Sequence, residues 1–216
     1  IALYHTAEVL GAENLYDYLK KFKMGDKSNI EFDESAGVLK DKSQWNISDL
    51  VTYSYGHGYQ GTLLQLTAGV AAVANDGKLM QPYIVSKFVE PDGTEKIVKP
   101  EAVAQPIKPE TAKIVGNILA QVYKNNILER YNRDLLNYSI AMKSGTALIP
   151  FKDKAGYSDE INTTYVGYDL SNEKSFILAV WLNKPKAGTL ASQNARVLWY
   201  DIFRDVKDYI GVPRTK

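Results

Sequence analysis

Cysteine is absent from this 216-residue chain, so disulfides, thiolate metal sites and a cysteine nucleophile are excluded. The absence fits an extracytoplasmic bacterial protein without fixing the compartment, since cytosolic chains also lack cysteine. Histidine is scarce too. His5 and His57 stand far apart and offer no His-rich metal spacing. Neither sign of charge dominates: 26 Lys and Arg against 25 Asp and Glu leave +1, which gives no basic footprint for nucleic acid. No apolar run approaches the roughly 18 residues of a membrane-crossing helix. The longest, Phe176–Leu182, has strand length. The N-terminus lacks the basic patch and apolar block of a signal peptide. Its opening on Ile1 leads us to expect a fragment or a processed product.

What is present is ordinary globular material. Hydrophobic residues make up 45% and charged residues 24%, which separates the chain from disordered sequences. The length suits one large domain or two small ones. Residues 1–22 read as helix interrupted at Gly11, with Leu15, Tyr18, Leu19 and Phe22 at helical spacing and Gly25 as a stop. Residues 26–45 are polar, without a period, and read as a surface excursion. Ser48 is the expected cap of a short helix ending at Tyr55 and Gly56. Thr62-Leu63-Leu64-Gln65 matches a capping box and opens an Ala-rich helix, expected to be buried, that runs to Asn75 and stops at Gly77.

Pro91-Asp92-Gly93, between apolar runs, predicts a β-hairpin. Pro109 starts a helix with Ile114, Ile118, Leu119 and Val122 on one face. Strands follow at 139–147, 163–169 and 175–182, the last two joined by the polar turn 170–174. A closing helix covers about 192–210, with Trp199 and Phe203 on its core face. Helices, then strands, then a helix point to an antiparallel sheet covered by helices, an α/β fold of the α+β type.

The sharpest chemical signal is Lys143-Ser144-Gly145-Thr146-Ala147 at a strand end. Ser144 and Thr146 are two apart, so their hydroxyls emerge on one face of a strand. Beside the Lys143 ammonium they suit a carboxylate. Gly145 leaves room for another backbone or a substrate. Backbone N–H groups at a strand edge also suit an oxyanion. Taken alone, a Lys-Ser-Gly-Thr run arises often by chance.

Four further segments accompany it in order. Leu10-Gly11 is followed by Leu15-Tyr16-Asp17-Tyr18-Leu19 and Phe22 to Gly25. Tyr53-Ser54-Tyr55-Gly56-His57-Gly58 precedes Thr62-Leu63-Leu64-Gln65-Leu66. Ala74-Asn75-Asp76-Gly77-Lys78-Leu79 precedes Pro82. Tyr165-Val166-Gly167-Tyr168 follows the Lys143 motif. In these five ordered matches the chain resembles the transpeptidase domain of class B penicillin-binding proteins, in the part beginning just after that family's S-x-N motif.

The resemblance implies a β-lactamase/transpeptidase-like fold, here incomplete. Residues 1–216 would form the C-terminal portion of the domain: a mainly helical part at 1–135 with a hairpin at about 82–99, then strands and closing helix at 136–216. It implies a serine D,D-transpeptidase that crosslinks peptidoglycan stem peptides through an acyl-enzyme and is acylated by β-lactams. Lys143 would attract the peptide or β-lactam carboxylate, Ser144 and Thr146 would hold it, and the Thr146 N–H would be one oxyanion donor. No metal or organic cofactor is implied. The implied setting is the outer face of a bacterial membrane, reached through an N-terminal anchor outside this chain, with cell-division or elongation proteins as possible partners. The nucleophilic Ser and its Lys would precede Ile1, so this chain alone is expected to be inactive. A non-catalytic scaffold and a β-lactamase or β-lactam sensor share the fold and are the alternatives.

Two in-chain look-alikes are rejected as catalytic. Ser171-Asn172-Glu173-Lys174 spells S-x-x-K on an expected turn, after the Lys143 motif instead of before it. Ser192-Gln193-Asn194 spells S-x-N where the closing helix should be capped. The chain also departs from the family pattern. Leu63 stands for the usual Pro, His57 for the common Gln, and Leu148 where a polar residue often follows the motif.

Overall fold

The computed structural model describes residues 2–126, 135–151, 153–154, 156–171 and 176–215. The chain divides into two compact units, Ile1–Lys108 and Pro109–Lys216. In the first unit α1 (Ala2–Leu10) and α2 (Ala12–Lys21) are separated at Gly11, whose φ of 80° breaks the helix. A helix α3 (Ile47–Ser54) follows. Its cap is Asn46 instead of the expected Ser48. The Asn46 side chain accepts from Asp49 N while the Asp49 carboxylate accepts from Asn46 N, which starts the helix two residues earlier.

The Thr62–Gln65 capping box forms as expected and opens α4 (Leu63–Ala74). Gln65 does more than cap. It is buried, and its Oε1 accepts from Thr62 N at 3.0 Å and from the Tyr59 hydroxyl at 2.6 Å. Its Nε2 donates to Asp26 O at 2.6 Å and Ala36 O at 2.8 Å. All four hydrogen-bonding sites of the amide are thereby used, as a buried amide requires. The polar stretch 26–45 is therefore anchored at both ends. Val38 and Gln60 also exchange backbone bonds, and Trp45 stacks on Tyr53 at 4.3 Å. Tyr53 and Tyr59 serve packing and anchoring. Only three residues of α4, Gln65, Gly69 and Ala72, are fully buried, so its small residues give less burial than expected.

The rest of this unit is short-stranded. The strand β1 (Leu79–Met80) pairs antiparallel with β4 (Ala102–Ala104). Between them β2 (Lys87–Val89) and β3 (Glu95–Ile97) form a hairpin about Pro91-Asp92-Gly93.

The second unit opens with α5 (Pro109–Asn126). Its inward face matches the expected one only in part: Val122 packs against the core. Ala112, Gly116 and Tyr123 are buried, whereas Ile114 and Ile118 are about 60% exposed. The small residues at 112 and 116 let the helix approach closely, and the Tyr168 ring ends over Gly116. Three antiparallel strands follow, β5 (Ile140–Pro150), β6 (Tyr157–Asp169) and β7 (Ile177–Asn183), in the order β5-β6-β7. The last helix, α6 (Ala195–Val206), is capped by Asn194, whose side chain accepts from Ala195 N. The first turn is closed by Leu198 N donating to Asn194 O at 3.1 Å, so the helix starts after 194. Of the 170–174 turn, Asn172 to Lys174 lie outside the described residues, as does Ser175 at the expected start of the third strand.

The sheet and α6 enclose an aromatic core. Trp199, Tyr200 and Phe203 are fully buried on α6, facing Tyr165 and Met142 on the strands and Tyr138 before them. The Trp199 indole donates to Leu178 O at 2.9 Å, and Phe203 stacks on Phe176 at 5.4 Å. Gly167 makes this possible: a Cβ there would lie 2.6 Å from the Trp199 ring. Gly167→Ala must therefore push a rigid, enclosed indole aside. We expect a loss of about 1–3 kcal/mol of stability, read by thermal or urea unfolding. An unchanged midpoint would contradict this packing.

The tyrosine content of the core gives it an alkaline limit. Burial pushes the Tyr165 and Tyr168 hydroxyls up to about 12 and also raises those of Tyr123 and Tyr200. In the unfolded chain these phenols titrate near 10. Between those values the folded state retains protons that the unfolded state has lost, so stability falls as pH rises. The expected loss is about 1.4 kcal/mol per pH unit for each such phenol. Melting temperature should drop steadily over this window, less steeply in Tyr165→Phe; a flat profile would refute it.

Candidate functional site

The candidate site lies on β5, and backbone pairing decides its character. Leu170 N donates to Ser139 O at 2.9 Å, which makes 139 and 170 a directly bonded pair. The ladder is regular from Ile140–Asp169 to Leu148–Ile161. Odd-numbered residues of β5 therefore bond to β6, and even-numbered ones turn their N–H and C=O the other way. The bond from Asp169 N to Phe176 O places β6 in the complementary phase toward β7. Ser144 and Thr146 thus aim their backbone groups at the outer edge of β5. Among the described residues no strand pairs with that edge.

Side chains follow the strand's alternation. Ser144 and Thr146 share one face, and Lys143 and Gly145 belong to the other. Lys143 is exposed, yet its Nζ donates to Ser144 O at 2.6 Å. The ammonium is thereby bent back to the same outer edge as the amides of residues 144 and 146. A positive charge beside outward N–H donors can receive a carboxylate or a developing oxyanion.

Two members of the motif have internal occupations that sequence reasoning missed. Thr146 Oγ1 accepts from Ala191 N at 2.9 Å, so the hydroxyl holds the loop before α6 and retains its own proton for donation. The space above Gly145 is taken by Thr164, whose Oγ1 would overlap a Cβ at 145. Further along, Thr163, the cross-strand partner of Thr146, donates to Asn194 Oδ1 at 2.8 Å, and Asn194 Nδ2 donates to Ala187 O at 3.1 Å. The look-alike motif 192–194 therefore acts as a helix cap bolted to the sheet. Its readable signal was an Asn just before an apolar helical stripe. Its strand partner was not readable.

The other residues singled out lie elsewhere. His57 follows α3 in the first unit, where its N donates to Thr52 O and its ring sits 5.0 Å from Tyr55. Leu148 is exposed on β5, on the face of Ser144 and Thr146. Among the described residues no group of three or more His, Asp or Glu gathers to hold a metal ion, and no helix is long and apolar enough to cross a membrane.

A family profile described as "Penicillin binding protein transpeptidase domain" matches residues 1–206. The chain belongs to this family. Among similar proteins, "Stage V sporulation protein D" of Bacillus subtilis is 30% identical over 219 aligned positions, covering 97% of this chain and 32% of that protein. "Penicillin-binding protein PbpB" of Mycobacterium tuberculosis is 27% identical over 183 positions, covering 82% of this chain and 27% of that protein. The crystal structure of apo penicillin-binding protein 3 from Mycobacterium tuberculosis superimposes with a TM-score of 0.85 at 25% identity, over 99% of this chain and 50% of that one. The same protein has been solved with ampicillin, where the TM-score is 0.84. The chain spans about a third or less of the length of these curated relatives.

Within this transpeptidase-family domain, the structural half of Thr146 can be separated from any ligand role. Thr146→Val keeps the volume and removes the acceptor, stranding the N–H of Ala191, which is 1% exposed. We expect a stability loss of about 1–3 kcal/mol, with Thr146→Ser restoring most of it. Equal stability of the Val variant and the parent would refute the tie.

Proposed function

We propose that this chain supplies the carboxylate- and oxyanion-binding strand of a serine D,D-transpeptidase that crosslinks peptidoglycan stem peptides outside the bacterial cytoplasmic membrane and is acylated by β-lactams. The observation that carries the reading is the outer edge of β5. The Lys143 ammonium and the outward amides of Ser144 and Thr146 converge there, on the motif that the family resemblance singles out. Family membership and the likeness to a protein solved with ampicillin support it.

In this reading a serine outside the described strand attacks the carbonyl of the terminal D-Ala-D-Ala bond. The bond to the leaving D-Ala breaks, and an acyl-enzyme forms. An amine of a neighbouring peptide then displaces the serine oxygen, so the peptide bond is exchanged without net oxidation or hydrolysis. The Thr146 N–H stabilises the oxyanion that appears in both steps. Lys143 draws in the substrate carboxylate, and the Ser144 hydroxyl and the remaining O–H of Thr146 donate to it.

The test is intact mass spectrometry of the native polypeptide that contains this chain, before and after penicillin. One added penicillin per chain is expected. Lys143→Ala should slow that acylation by about 100-fold or more, the scale of losing a charged hydrogen-bond donor at the reacting centre. A native chain that gains no mass would overturn the catalytic reading in favour of a non-catalytic scaffold. Rapid turnover of a chromogenic cephalosporin would instead favour a β-lactamase.

A further inference from the structure

A cleft of about 410 Å³ opens in the first unit between the segment after α2, the start of α4 and the β1–β4 ladder. Its volume falls in the range of small-molecule sites. Phe22, Ala68, Leu79 and Met80 line it, all buried or half-buried, and make an apolar floor. Lys23, Lys27 and Asn29 also line it and are exposed, forming the mouth.

The charge at this mouth is net positive. The lining carboxylate, Asp26, is already paired with Lys20 Nζ at 2.5 Å. Glu34 accepts from Ser28 Oγ at 2.7 Å and Asn29 N at 2.5 Å and keeps its negative charge near Lys27, so Lys23 and Lys27 leave the mouth with a positive excess. Among the described residues no carboxylate lies within ion-pair distance of Lys23 or Lys27. The left-handed Lys23, with φ of 58°, ends α2, since its own N donates to Lys20 O and Met24 N donates to Leu19 O, and Asn29 turns the chain with φ of 59°. Gln81 Nε2 donates to Asn29 O and secures that turn to the strand side of the cleft.

We propose that this cleft binds a small amphiphilic anion, with an aromatic or alicyclic body on the Phe22–Ala68–Met80 floor and a carboxylate or sulfonate between Lys23 and Lys27. The proposal does not rest on the reaction proposed for β5.

The probe is anilinonaphthalene sulfonate, an aromatic sulfonate whose fluorescence rises on burial, titrated into the full chain. Saturable one-to-one binding is expected. The uncharged analogue N-phenylnaphthylamine should bind about tenfold or more weakly, and the double charge reversal Lys23→Glu with Lys27→Glu should weaken the sulfonate about tenfold or more. Ala68→Phe, which fills the floor, should abolish binding. Circular dichroism confirms that each variant is folded. Absence of saturable binding, equal affinity for the two probes, or full affinity in either folded variant overturns the proposal. Should Ala68→Phe not fold, the charge reversal decides alone, because its two side chains are exposed and make no ion pair to lose.

Discussion

The pairing phase of β5 with β6 is the constraint on which the candidate site depends. An antiparallel ladder consumes the backbone groups of every second residue and leaves the others pointing away. The Leu170–Ser139 bond sets that choice for the whole strand. A shift by one residue would turn the amides of Ser144 and Thr146 inward, into the ladder, and would move Met142 out of the aromatic core. One register therefore serves both stability and chemistry, because the core face and the outward amides are two consequences of the same alternation.

Two glycines hold that register in place for different reasons. Gly167 admits the Trp199 ring against the strand, so the helix that covers the sheet can lie close to it. Gly145 admits the Thr164 hydroxyl from the neighbouring strand. The sequence-level expectation placed a substrate or a second backbone over Gly145, and the structure places a cross-strand side chain there. The hydroxyl of Thr146 is similarly shared between the Ala191 amide and the open side of the strand. A motif that reads as purely functional is thus also part of the packing. Substitutions within it will mix stability with activity unless the two are measured separately.

In the first unit the corresponding organising group is Gln65. One buried amide completes a helix cap and ties down two carbonyls of a segment that has no periodic structure of its own. The capping half was legible from the Thr62-x-x-Gln65 spacing, since it is local. The other half joins residues 29 and 39 positions apart, and no spacing rule reports that. The α5 face was legible only in part, through Val122, for a related reason. Ile114 and Ile118 are the more hydrophobic residues, but Ala112 and Gly116 are the ones that allow close approach, and steric fit prevailed over hydrophobicity.

Composition, motif order and local spacing were sufficient for the family, the helix–strand–helix sequence, the capping box, the hairpin and the aromatic face of the closing helix. These rest on interactions within a few residues, or on the order of several motifs, and both are written along the chain. The direction of the Ser144 and Thr146 amides, the return of the Lys143 ammonium to its own strand, the second use of the Thr146 hydroxyl and the cleft between Lys23 and Lys27 are not written that way. Each depends on which distant residue becomes a neighbour, and that is settled only when strands pair and helices pack.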